Sequence, residues 1–319
     1  FDENGLIEGA DVTVNGFCGY SPDLSDAIVD RAMFHADNAY YYPAATIKGN
    51  RCKVNTVSNT AFRGFGGPQG MIMGELIMDD IAAKLGKDPL EIRKLNLYKK
   101  GRDTTPYHQT VEQHILKDMI AQLEESGDYW ARKVAIKAFN ASSPIIKKGL
   151  AMTPVKYGIS FTVQHLNQAG ALVHVYSDGS IHLNHGGTEM GQGLNTKIAQ
   201  IVAHGFGVDF DAISISATRT DKVPNTSPTA ASSGTDLNGM AALNAVNTIK
   251  ERLINFISEH FEVDSQSIVF KDNLITFSKG EISFSELANL AYMNRISLSS
   301  TGYYATPKIH YDRAKGEGR

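Results

Sequence analysis

A chain of 319 residues with 42% hydrophobic content can bury a substantial interior, and its length suits about two domains. Acids and bases nearly cancel, 34 Asp plus Glu against 31 Lys plus Arg, and they are interspersed. That pattern argues against nucleic acid or an anionic membrane as partner, because both call for clustered Lys and Arg. The two cysteines, Cys18 and Cys52, form no CxxC pair, which excludes thiolate-built zinc and iron–sulfur sites from these residues. Each reads as a buried free thiol, a usage suited to a reducing cytoplasm. No apolar run reaches the roughly 18 residues of a membrane span, and no signal peptide is visible. The opening at Phe1 and the polar close at Lys315-Gly316-Glu317-Gly318-Arg319 read as cuts within a longer polypeptide.

Within a strand-like stretch over 6–20, Asp11-Val12-Thr13-Val14-Asn15-Gly16-Phe17 alternates polar and apolar and predicts a half-buried strand. After the Ser21-Pro22-Asp23 turn, Ile28, Val29, Ala32 and Met33 recur at helical spacing over 24–36. A strand is expected over 51–57, then a Gly-rich loop, then a helix over 71–85 closed by Gly86. Asp88-Pro89 marks the cap and first position of another short helix. Two further helices are expected between 111 and 140, ending at Ser142-Ser143-Pro144. Strands follow over 149–155, 159–163 and 169–176, the last turning through Ser177-Asp178-Gly179-Ser180 into 181–185 as a hairpin. Helices are expected at 195–204 and 237–257. Intermingled helices and hairpins give a mixed α/β, or α+β, class, with a bridge over 106–144 between a first domain, 1–105, and a second, 145–319.

Three loops could carry chemistry: 62–69, 185–193 and 226–234, all rich in Gly or in Ser and Thr and all leading into helices. Glycine lets a backbone approach a ligand, and free amides at a helix start favour phosphate. None has the Gly-Lys-Ser/Thr of a Walker loop, and the GxGxxG fingerprint lacks its strand–turn–helix setting. Each alone suits an ordinary turn; together they suit an uncharged-loop site for a phosphate-bearing ligand with a flat heterocycle. Arg63 stands out between Phe62 and Phe65, where stacking and oxyanion contact are open to it. His35, His165, His174, His182, His185 and His204 show no metal-binding spacing and read as structural, and no Gly-x-Ser-x-Gly elbow offers a serine nucleophile.

Taken in order, Asp30-Arg31-Ala32-Met33-Phe34-His35-Ala36-Asp37-Asn38, residues 58–71, 158–162, 167–176, 186–193 and 224–238 resemble the molybdenum-binding part of the xanthine dehydrogenase and xanthine oxidase family. The resemblance implies two consecutive molybdopterin-binding domains, both incomplete here. It implies Mo-molybdopterin as cofactor, with the metal held by the pterin dithiolene, and hydroxylation of hypoxanthine and xanthine to urate. Electrons would leave through [2Fe-2S] clusters and FAD, in a partner subunit or domain of the same enzyme, to NAD or oxygen. The complete enzyme would be a cytoplasmic homo-oligomer of purine catabolism.

By position, Arg31 matches the family's arginine that holds a purine oxygen, and Phe65 and Phe161 match the two phenylalanines that pack on the purine ring. Thr162 matches a substrate contact. Arg63 and Ala231 match contacts to the molybdenum–pterin unit, with Gln192, Ser232 and Ser233 as cofactor neighbours. An arginine at 31 favours xanthine dehydrogenase over aldehyde oxidase, the alternative within the family. A non-catalytic pterin- or nucleotide-binding module is the alternative outside it. The family's Phe-Gly-Gly-Lys-Glu and Gly-Glu-Pro-Pro segments are expected before Phe1 and after Arg319. The general-base glutamate belongs to the second, so these residues alone are expected to be inactive.

Overall fold

The computed structural model describes residues 1–219, 221 and 225–318; Pro224, which opens the 224–238 string, lies outside them. The chain divides into two compact units, residues 1–158 with the segment from Tyr311 onward, and Ile159–His310.

The first unit opens with β1 (Ala10–Gly19), α1 (Ser25–Phe34) and β2 (Ala45–Lys53). The strands run parallel with Ala10 opposite Ala45, and parallel neighbours require a crossover, which α1 supplies. β2 starts before the expected 51–57 because pairing with β1 sets its length. Strand glycines let the helix lie close: a Cβ on Gly16 would stand 2.5 Å from the Val29 side chain.

α2 (Gly67–Leu85) also starts earlier than expected, with Pro68 in its first turn and Gly66 in the left-handed region at φ 96°. Gly66, Gly70 and Gly74 recur every fourth residue and so share one helix face. Added Cβ atoms there would meet the carbonyl oxygens of Ile28 and Ala32 on α1 and of Ala36 just past its end. The glycines after Phe65 therefore bring two helices together. Gly70→Ala is expected to lower unfolding stability by about 1–3 kcal/mol, because a backbone carbonyl cannot rotate away as a side chain can. Chemical denaturation of the folded chain measures it; an unchanged midpoint and slope would contradict this packing.

α3 (Pro89–Asn96) begins as the sequence predicts: Asp88 accepts from the Leu90 amide, Glu91 completes a capping box, and Pro89 takes the first position. Met78, Ile81, Ala82, Leu90 and Ile92 join Ile7 and Tyr40 in one core. The two helices expected next are α4 (Leu116–Ser126) and α5 (Tyr129–Ser142), which add Ile120 and Tyr129 to that core.

The second unit is built on β3 (Gln168–Val175), β4 (Ile181–His185), β5 (Ile213–Ile215) and β9 (Ser299–Ala305), in the spatial order β5-β4-β3-β9. The predicted hairpin joins β3 to β4, with Ala171 opposite His185. Alternation on β3 turns Ala169, Ala171, Val173 and Val175 inward against α6 (Leu194–Phe206) and α7 (Gly234–Phe261). β6 (Val269–Lys271), β7 (Leu274–Phe277) and β8 (Gly280–Ser283) form a separate meander leading into α8 (Phe284–Met293). A short hairpin, β10 (Tyr311–Asp312) with β11 (Glu317–Gly318), belongs with the first unit. Helices and mainly antiparallel sheets thus give the α+β class.

The expected strands over 149–155 and 159–163 do not form. Residues 154–158 run beside α1 with their backbone groups bound to side chains rather than to a neighbouring strand. Residues 160–166 form turns centred on the Asn167 side chain.

Candidate functional site

In the first unit the Asp30–Asn38 stretch proves to be a grip on residues 154–158. Asn38 donates through Nδ2 to Pro154 O at 2.9 Å, and its side-chain Oδ1 accepts the Lys156 amide at 3.2 Å. Lys156 Nζ lies 2.5 Å from Asp37 Oδ2, and the same oxygen receives the Tyr98 hydroxyl. Lys156 also stands over the Tyr98 and Tyr107 rings. Asp37, which is buried, and Lys156, which is half-buried, therefore form an ion pair. Burial pushes the Asp37 carboxyl up from its ordinary value, with Lys156 and Tyr98 opposing. Burial also works against the Lys156 charge, but Asp37 and Tyr107 overcome it and hold the ammonium above its usual range.

Six residues before Asp37, on α1, Arg31 is 7% exposed and donates through Nη1 to Gly158 O at 2.6 Å. Its guanidinium lies 5.5 Å from the Tyr157 ring centre. Burial lowers its pKa, with Tyr157 opposing; a guanidinium nonetheless stays protonated in water's range. The Tyr157 hydroxyl donates to Gly64 O at 2.7 Å, which ties the Arg31 neighbourhood to the Phe65 loop. Phe65 is half-buried at φ 52°, a backbone conformation that a bulky non-glycine residue rarely adopts. Arg63 is exposed in the same loop. Tyr157, a residue that spacing alone does not single out, thus joins Arg31 to Gly64 in the loop that carries Phe65.

In the second unit, Phe161 and Thr162 are half-buried. Asn167 clasps the Phe161 backbone, accepting its amide at 2.8 Å and donating to its carbonyl at 3.0 Å. Ser160, at φ 115°, donates its amide to Ala231 O at 3.1 Å, and Ala231 and Ser232 are themselves left-handed at φ 56° and 57°. Ser233 is buried and bonds back to Ala230 O, while Ser232 is exposed. The Thr188 amide donates to Thr229 Oγ1 at 2.8 Å, joining the 185–193 loop to the 226–234 loop. Gln192 is spent inside its own loop, accepting the Met190 amide and donating to Thr188 O. Three candidate segments, 160–162, 188–192 and 229–233, are therefore linked within this unit.

One expectation for these loops fails. The Glu189 carboxylate accepts the amides of Gly191, Gly193 and Asn195 at 2.9–3.0 Å, so the donors at the start of α6 are already taken. These bonds, that from the Asn195 amide foremost, draw the Glu189 pKa down. An internal anion sits where free amides for a phosphate were expected.

The Gly186–Gly187 turn has a different character. A Cβ on Gly186 would overlap the Thr226 side chain, and one on Gly187 would stand 3.1 Å from Asn238 Nδ2. Among the described residues, Thr226 Oγ1 and Asn238 Oδ1 are buried there without a hydrogen-bond partner. Unsatisfied buried polar atoms are costly, so such a pair suits a neutral ligand with donor groups. The donor-bearing edge of a pterin meets that description.

A family model described as molybdopterin cofactor-binding domain matches residues 1–97, and a second model of the same description matches 122–319. Xanthine dehydrogenase of Dictyostelium discoideum is 44% identical over all of this chain, and xanthine dehydrogenase/oxidase of Gallus gallus is 47% identical. The chain spans 22% of the length of each. Among solved structures, quinoline 2-oxidoreductase from Pseudomonas putida 86 superposes with a TM-score of 0.81 at 22% identity, over 96% of this chain and 42% of its own. Aldehyde oxidoreductase from Desulfovibrio desulfuricans gives 0.74 at 24%, over 99% and 32%. These two likenesses concern the fold. With both domain models matched in sequence order, the chain belongs to the molybdopterin cofactor-binding domain family, of which it carries two consecutive domains.

Proposed function

We propose that this chain is the cofactor-binding part of a xanthine dehydrogenase-like hydroxylase that converts hypoxanthine and xanthine to urate. The observation that carries this reading is Arg31: a buried cation on a helix, fixed by Gly158 and Tyr157, in a chain resembling xanthine dehydrogenases along its whole length. A fixed guanidinium stabilises charge that grows on a purine oxygen during attack at the ring, and it requires no reorganisation to do so. Phe65 and Phe161 hold the flat ring by packing, and Thr162 supplies a polar contact.

By resemblance the cofactor falls to Arg63, Gln192, Ala231, Ser232 and Ser233, Gln192 by bracing its own loop, joined by Thr226 and Asn238 beneath the Gly186–Gly187 turn. Molybdopterin, when bound, supplies the redox-active metal and its own metal ligands. The general base and the iron–sulfur and FAD domains are assigned to other segments of the enzyme, and the 319 residues alone should not turn over. The domain limits 1–105, 106–144 and 145–319, a cytoplasmic location, a homo-oligomeric state and a place in purine breakdown belong to the same proposal. Among the described residues no helix is long and apolar enough to cross a membrane.

The second reading is aldehyde oxidation, favoured by the fold shared with aldehyde oxidoreductase. Arg31 argues against it, because an aldehyde offers no ring oxygen for a second cation. Purified full-length protein is expected to contain molybdenum and pterin in equal amounts and to form urate from xanthine. Molybdenum-loaded protein that oxidises aromatic aldehydes without forming urate would overturn the first reading.

A further inference from the structure

In sequence His35 reads as a structural histidine, yet it sits one helical turn beyond Arg31 and touches both groups that fix Arg31. Its Nδ1 lies 2.8 Å from Arg31 O, and its Nε2 accepts the Gly158 amide at 3.1 Å. Gly158 is therefore held at both ends of its backbone, its N–H by His35 and its C=O by Arg31 Nη1. The imidazole also packs on Tyr157, with ring centres 4.8 Å apart, and Tyr157 lies beside the Arg31 guanidinium. Because Nε2 must accept, the proton resides on Nδ1 and the ring is neutral.

We propose that His35 is a positioning residue that fixes the direction in which Arg31 presents its guanidinium, and so contributes to selection of oxypurines over aldehydes. The inference rests on the reading of Arg31 as the substrate cation. His35 touches no substrate in this account and acts through Gly158 and Tyr157. Its neutrality follows from the surroundings: burial holds the ring at about 4, and the charges of Arg31 and Lys156 add to that effect although the bond to Arg31 O opposes it. A protonated ring would have to release the Gly158 amide, which frees the peptide that receives Arg31. Small displacements of a charge-stabilising group are costly; a shift of about 1 Å can reduce rate on the order of 100-fold.

Two measurements test this. In the full-length enzyme, His35→Leu is expected to lower the ratio of kcat/KM for xanthine to that for an aromatic aldehyde by about 10–100-fold, and His35→Gln, which keeps one donor and one acceptor, to restore part of it. Adding His35→Leu to Arg31→Met should change that ratio no further, since the two act as one unit. Equal loss on both substrates, or additive losses in the double variant, would overturn the positioning role while leaving Arg31 in place. An Arg31→Met variant with unaltered selectivity would instead overturn the Arg31 reading, and this inference with it. Independently of activity, nitrogen-15 NMR of the imidazoles should show a neutral Nδ1–H tautomer for His35 at pH 7; a charged ring or the Nε2–H tautomer would contradict the geometry.

Discussion

Replacing Arg31 by methionine in the full-length enzyme is expected to reduce kcat/KM for xanthine by about 10²–10³-fold, with a much smaller loss for an aromatic aldehyde. Methionine keeps the length and much of the apolar stem but removes the charge. The loss should fall mainly on kcat, because the interaction strengthens as negative charge develops on the purine. An aldehyde has no second oxygen near this position, so its transition state loses little. Steady-state kinetics on both substrates, at equal molybdenum content, measure the difference. Equal losses would mean that Arg31 serves the fold and does not select substrate.

The second large effect concerns stability. Lys156→Met is expected to destabilise the first unit by about 3–5 kcal/mol at neutral pH, since it strands the Asp37 carboxylate inside the protein. Burial already raises the Asp37 pKa, and the Lys156 charge opposes that rise. In the variant the folded-state pKa therefore climbs further above the unfolded value. A carboxyl raised in this way lowers stability at pH above its unfolded pKa, and the penalty shrinks as pH falls toward that value. The variant should thus recover stability on acidification from pH 7 to about 5, where a normal carboxylate remains ionised. Adding Asp37→Asn should recover part of the loss at pH 7. Denaturant titrations across this range check both statements; a pH-independent loss would mean that Lys156 acts through packing over the Tyr98 and Tyr107 rings.

The parts of the fold that were legible are those encoded by neighbours in sequence. The Asp88-Pro89 start of α3 followed from capping chemistry, and the Ser177–Ser180 turn followed from the alternation on either side of it. Residues 149–155 and 159–163 read as strands in sequence, but the backbone of 154–158 finds partners far along the chain and that of 161 finds the Asn167 side chain. Asn38 reaches Pro154 and Lys156, Asp37 reaches Lys156, and His35 reaches Gly158. Extended residues look alike in composition whether a strand or a row of side chains satisfies them. The glycines at 66, 70 and 74 could serve a ligand or a helix crossing, and only the placement of α1 decides for the crossing.

The candidate residues of the site were legible through resemblance rather than through spacing. Arg31 was named by its string, but Tyr157 and His35, which hold its surroundings, carried no local signal. Glu189 was read as part of a Gly-rich loop, yet it fills the amides that the loop was expected to offer. A carboxylate two to six residues from its amide donors is a local contact, so the Glu189-Met190-Gly191-Gln192-Gly193 spacing is the available signal. Left-handed Phe65, Ala231 and Ser232 could not have been foreseen, because their residue types disfavour that conformation.

The most direct test of the central claim is the substrate preference of the full-length, molybdenum-loaded wild-type protein. The ratio of kcat/KM for xanthine to that for benzaldehyde should exceed unity by at least about tenfold, as a fixed cation of oxyanion-donor strength allows. A clear preference for benzaldehyde, with the metal present, would contradict the assignment of Arg31 and the proposed function with it.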